Sequence, residues 1–143
     1  MSNASWLATS LDQEMLEGHG VSIASRTTVD EDLPSKSGTQ VSHELGSRYL
    51  LRYLAGHQTG LYTIGSDSRH FVTPTPYSAA ETVSWLALPL PTQDRAFVLM
   101  LDPGKIATII GPRWVRCGKG IEYILPFGFP KEALALAWEV QVG

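Results

Sequence analysis

An α+β domain is what this sequence predicts: N-terminal helices, then a bent, mainly antiparallel sheet of about six short strands. Two observations lead there. Apolar residues at helical spacing occupy much of the first 55 positions, and short apolar or β-branched runs bounded by Gly, Pro and Asp dominate the rest of the chain. At 143 residues the chain is one domain, large enough to bury a core without disulfide or metal staples.

Residues 5–17 read as a helix capped by Ser5, with Leu7, Leu11 and Met15 on one face and Gly18 as its stop. Residues 18–38 are polar and breaker-rich, carrying Asp30-Glu31-Asp32, with a short strand expected at Val21–Ser25. This loop is expected to divide an N-terminal arm, 1–38, from the compact part, 39–143, and to stand outside the catalytic core. The spacing of Val41, Leu45, Tyr49, Leu50, Tyr53 and Leu54 predicts a helix over 39–55, ended by Gly56.

After it the pattern shortens. Leu61–Ile64 and Arg69–Thr73 read as strands joined by a Gly-Ser-Asp-Ser hairpin turn, and Thr73-Pro74-Thr75-Pro76 cannot pair in mid-sheet. Ser78-Ala79-Ala80-Glu81 is a capping box opening a helix through Leu86, which Pro89 and Pro91 end. Arg95–Leu101 is a strand and Asp102-Pro103-Gly104 a turn. Strands are further expected at Lys105–Ile110, Trp114–Arg116, Ile121–Leu125 and Leu136–Val142, with a one-turn helix at Lys131–Leu134.

Composition narrows the chemistry. A formal charge of −3 gives no basic footprint for nucleic acid. No apolar run approaches the length of a membrane span. Met1-Ser2-Asn3-Ala4 is not the start of a signal peptide; it has the look of a tag-removal scar on the excised end of a longer protein. The single cysteine, Cys117, excludes an internal disulfide and a cysteine-built zinc site. The four histidines show no zinc spacing, and no phosphate-cradling glycine loop or nucleophile elbow is present.

The remaining candidates are Arg, Thr, aromatic and Glu residues. Glu122 stands among apolar neighbours just after Gly118-Lys119-Gly120, so it is either a solvent-facing strand residue or a carboxylate held on rigid scaffold. Breaking an N-glycosidic bond needs few groups. An Arg holds pyrophosphate, an aromatic wall holds the flat base, and a carboxylate steadies the oxocarbenium-like charge. A cationic leaving group such as nicotinamide needs no general acid.

Ser68-Arg69-His70-Phe71-Val72-Thr73-Pro74-Thr75-Pro76-Tyr77, Leu86-Ala87-Leu88-Pro89 and Gly118-Lys119-Gly120-Ile121-Glu122-Tyr123-Ile124-Leu125-Pro126 together form a pattern over roughly residues 60–142. It resembles the tuberculosis-necrotizing-toxin-like NAD glycohydrolases and, more loosely, the ADP-ribosyltransferase-like tips of bacterial polymorphic toxins. The resemblance implies an ADP-ribosyltransferase-like sheet and NAD as substrate, with no further cofactor or metal. It also implies a neutralising immunity protein as partner, and delivery as an effector acting in the target-cell cytoplasm.

Carried over, Arg69 matches the family's first Arg, and Glu122 stands where that family has Gln. Leu86 stands where the second Arg is expected, so Arg113 or Arg116 must substitute. Glu122 and Arg69 are then the catalytic candidates, with Thr73, Tyr77, Trp85 and Arg113 binding substrate. Two other readings stay open: a small ribonuclease toxin using His19, Arg26 and His70, and a non-enzymatic binding module in which Glu122 is only a strand residue.

Overall fold

Two antiparallel sheets meet at one bridge. A computed structural model describes residues 12–55, 69–74, 95–115 and 120–141. Residues 12–18 form helix α1 and Gly38–Glu44 helix α2. The strands are β1 (Ser35–Lys36), β2 (Leu50–Ala55), β3 (His70–Val72), β4 (Arg95–Leu101), β5 (Ile109–Trp114), β6 (Ile121–Leu125) and β7 (Leu134–Gln141). One sheet has the order β1-β5-β6-β3 and the other β2-β4-β7. Leu51 and Thr73 join them by exchanging backbone hydrogen bonds of 2.7 and 2.9 Å. An α+β class with antiparallel strands therefore holds, but the strands form two sheets of four and three rather than the one sheet of about six expected.

Three elements fall as the sequence predicts. β4 spans Arg95–Leu101, β6 spans Ile121–Leu125, and a short 3-10 turn at Lys131–Ala133 leads into β7. The helix expected over 39–55 is corrected. Ser37 caps α2 by accepting from Gln40 N at 3.1 Å, and Val41 and Leu45 are buried, but the helix ends at Glu44. Gly46 and Ser47 take left-handed φ values of 61° and 66°, which turn the chain out of the helix. Residues 50–55 then pair along their whole length with β4, from Leu50↔Leu101 to Ala55↔Ala96. Leu50 and Leu51, adjacent and therefore on opposite faces, are both buried, so the start of this strand lacks the alternation that marks one, and its leucines also fit helical spacing.

The two strands expected at Lys105–Ile110 and Trp114–Arg116 are corrected to one, β5, which runs through Gly111-Pro112. Its register with β6 shifts between Ile110 and Arg113, and that irregularity accommodates the proline inside a strand. The expected strand at Leu61–Ile64 and the helix from Ser78 lie outside the described residues.

β6 is central in its sheet and buried on both faces. Ile121, Tyr123 and Leu125 enter the main core with Leu16, Leu45, Leu50 and Leu99. Ile124, on the other face, packs with Ile110 and Leu33. Each such apolar side chain contributes about 1.5–3 kcal/mol on burial. Of the expected arm, 1–38, residues 12–38 are described, and they pack against the sheets. Leu16, Val21 and Leu33 are buried, Ala24 bridges to Arg113, and β1 pairs with Ile109 and Ile110.

Gly38 shows how tightly α2 is seated. A Cβ there would lie 1.9 Å from the Pro103 carbonyl oxygen and 2.0 Å from that of Ile106. Only a glycine lets the helix start against that turn.

Candidate functional site

Residues 25–33 form a strap over the Glu122 face of the four-stranded sheet. The strap leaves the edge of β5 at Ala24, whose N–H donates to the Pro112 carbonyl at 2.9 Å and whose carbonyl accepts from Trp114 N at 3.0 Å. It turns at Ser25–Thr28, makes a 3-10 turn at Asp30–Asp32, and buries Leu33 against Ile110 and Ile124. β1 then returns it to β5.

Under the strap lies a chain of four alternating charges. Arg113 and Glu122 are cross-strand partners on β5 and β6. Arg113 donates from Nε and Nη2 to Glu122 Oε2 at 3.0 and 2.7 Å. Its Nη1 donates to the Thr28 carbonyl at 2.9 Å and to Asp30 Oδ1 at 2.6 Å. The other oxygen of Asp30 accepts from Arg69 Nη1. Arg113 and Glu122 are only 4% and 7% exposed, whereas the Arg69 side chain is 46% exposed. Burial alone works against the Arg113 charge. Hydrogen bonds from Glu122 and Asp30, and their negative charges, outweigh it and raise the guanidinium above its ordinary pKa.

Of the residues singled out by sequence, Glu122, Arg69 and Arg113 are brought together. Thr73 is buried, and its hydroxyl donates to the Ile121 carbonyl at 2.8 Å, fixing the junction of the two sheets. Tyr77, Trp85, Arg116 and Cys117 lie outside the described residues. Asp30, which links the two arginines, is a site residue that sequence reasoning misses. The acidic run Asp30-Glu31-Asp32 is its one visible signal.

The ribonuclease candidates are placed differently. His70 is 2% exposed, its ring tilted against Phe129 at 5.4 Å, and neither ring nitrogen has a hydrogen-bond partner among the described residues. Burial, with the Arg52 charge adding to it, lowers its pKa from 6.5 to about 4. A neutral, enclosed imidazole is poorly suited to passing protons to a polynucleotide. His19 instead contacts the Glu44 carbonyl through Nδ1 at 3.0 Å and stacks on His43, while Arg26 is exposed on the strap.

A second polar cluster lies on the core side of β6. The hydroxyl of fully buried Tyr123 donates to Glu44 Oε1 at 3.0 Å, and Lys36 pairs with Glu44 Oε2 at 2.7 Å. Burial first, then the Glu44 charge and hydrogen bond, push the Tyr123 pKa up, so the hydroxyl keeps its proton. Arg48 pairs with buried Asp12 nearby in the fold. These groups serve the fold by pairing with one another, although Arg48 Nε has no hydrogen-bond partner among the described residues.

Among the described residues no group of His, Cys, Asp and Glu is arranged to hold a metal ion, and no helix is long and apolar enough to cross a membrane. No protein-family model, curated protein or solved structure matches the chain.

Proposed function

We propose that this chain is an NAD-consuming toxin domain of ADP-ribosyltransferase-like build that cleaves the bond between nicotinamide and ribose. One observation carries the reading: Arg69 and Glu122, far apart in sequence, are joined through Asp30 and Arg113 into a single charged site. Arg113 supplies the second guanidinium that the Leu86 position lacks. In the reaction the C–N bond to nicotinamide breaks, and its electron pair leaves with the ring and neutralises the pyridinium. The Glu122 carboxylate steadies the positive charge left on the ribose until an acceptor adds. That acceptor is water, the substrate's own adenine or a target side chain. When it is water, ADP-ribose and a proton complete the balance. Thr73 holds the sheet junction beside β6 rather than offering a free hydroxyl, and Tyr77 and Trp85 remain the proposed nicotinamide contacts. A neutralising immunity protein and action in a target-cell cytoplasm belong to the same proposal.

Incubation of the purified protein with NAD, with free nicotinamide followed over time, tests the reading. Glu122→Gln should lower turnover at least about a hundredfold, the scale of losing one electrostatic stabiliser. The variant is compared below its own unfolding transition, because Glu122 also holds Arg113. Unchanged turnover in the folded variant overturns the assignment. A second reading, a non-enzymatic binding module, draws on the enclosure of Glu122 beneath the strap. The absence of nicotinamide release under every condition, including loss of the strap contact, favours it.

A further inference from the structure

We infer that Asp30 is an internal stand-in for a substrate diphosphate, and that residues 25–33 are a latch which the anion displaces. The inference rests on the function proposed above and adds how its site opens.

The strap is tethered at both ends and lightly held between them. Ala24 and β1 fix its ends to the edge of β5. Within it, Ser25, Arg26, Thr27, Val29, Glu31 and Asp32 are exposed, and only Leu33 is buried. Among the described residues, the strap's remaining hold on the sheet is polar: Arg113 engages the Thr28 carbonyl and the Asp30 carboxylate, and Arg69 engages the other oxygen of Asp30. Asp30 thus lies where an anion would, between two guanidinium groups, with one oxygen turned to each. Arginine forks suit phosphate as well as carboxylate.

Charge balance points the same way. Among the described residues of this charge chain, two arginines face two carboxylates with the latch shut. Lifting it removes one carboxylate from the pair of guanidinium groups and so shifts the site's charge in the positive direction, which favours a diphosphate. The same movement uncovers Glu122 beside the bound anion, so substrate binding and exposure of the carboxylate are one event. Any anion must compete with a tethered carboxylate, which lowers its apparent affinity by the fraction of time the latch is open.

Calorimetric titration with inorganic pyrophosphate and with ADP-ribose, at fixed ionic strength, tests this on the full chain. Asp30→Asn should bind both at least about tenfold more tightly than the parent, since removal of a charged competitor of this kind is worth a factor of ten or more. Glu31→Gln and Asp32→Asn remove the same charge from exposed neighbouring positions and should stay within about twofold of the parent. On the unaltered protein, pyrophosphate should speed amide hydrogen exchange across 25–33 without speeding it in β6. Equal tightening in all three variants, or no tightening in Asp30→Asn together with unchanged exchange, overturns the latch. Tightening in Asp30→Asn without nicotinamide release keeps the latch and removes the NAD reading. Nicotinamide release that ignores Asp30→Asn, with binding unchanged, does the reverse.

Discussion

Arg113 grips Glu122 through one oxygen: Nε at 3.0 Å and Nη2 at 2.7 Å both donate to Oε2. The pair is directly opposed across β5 and β6 and almost fully buried. A carboxylate so held is costly to neutralise, because its partner would be left charged and half-satisfied. Two variants separate the contributions.

Glu122→Gln should lower the unfolding free energy by about 2–3 kcal/mol, less than a fully broken buried pair because Asp30 still faces Arg113. Arg113→Met should cost more, since it strands two carboxylates at once. Urea denaturation of both variants checks the order. Equal losses would mean that Asp30 draws nothing from Arg113.

Gly38→Ala should destabilise the protein by about 3 kcal/mol or more, because the added methyl meets two backbone carbonyls that cannot rotate away. The close approaches to Pro103 and Ile106 make this a steric effect. The loss of glycine's backbone entropy works the other way, by about 0.4–1 kcal/mol. A variant as stable as the parent would show that α2 and the 103–106 turn separate easily.

His70 sets an acid limit on stability. Its pKa falls from 6.5 to about 4 on folding, so between these values the unfolded chain binds the extra proton. The contribution is complete above the unfolded pKa and declines as pH falls towards 4, amounting to roughly 3 kcal/mol in all. His70→Leu should therefore flatten the pH dependence of stability across that interval. Parallel curves for parent and variant between pH 4 and 6.5 would refute the assignment.

Tyr123→Phe removes the donor to Glu44 and should cost about 1–2 kcal/mol. Because the Tyr123 hydroxyl keeps its proton well into alkali, the difference from the parent should be flat from neutral to about pH 10. A difference that widens as pH rises towards about 10 would show the tyrosine ionising first in the folded state, whereas narrowing above about pH 10 is the expected mark of a folded hydroxyl that keeps its proton.

The strands are legible where local chemistry and tertiary role agree. Arg95–Leu101 and Ile121–Leu125 are short apolar runs bounded by turn residues, and their edges follow from those boundaries. Residues 50–55 imitate a helix because burial of the adjacent Leu50 and Leu51 on opposite faces removes the alternation that marks a strand, while Gly46-Ser47 supplies a break less conspicuous than Gly56. Arg69, Arg113 and Glu122 can be selected individually by residue type. Their link cannot, since it passes through Asp30, a loop carboxylate with no periodicity to place it. The strap's position is likewise a long-range fact: nothing local to residues 25–33 announces that β5 is their support.

The strap also puts time into this fold. Asp30 and Arg113 stand 83 residues apart in the chain. At ribosomal rates of 5–20 residues per second, roughly 4–17 s pass between the appearance of one and the other. Throughout that interval Leu33 has no apolar neighbours from β5 or β6, and the acidic turn has no guanidinium to meet. The segment made early is therefore among the last to find its place, and sheet completion waits on chain closure over a long loop. Any factor that holds residues 25–33 during synthesis thereby delays assembly of the charged site itself.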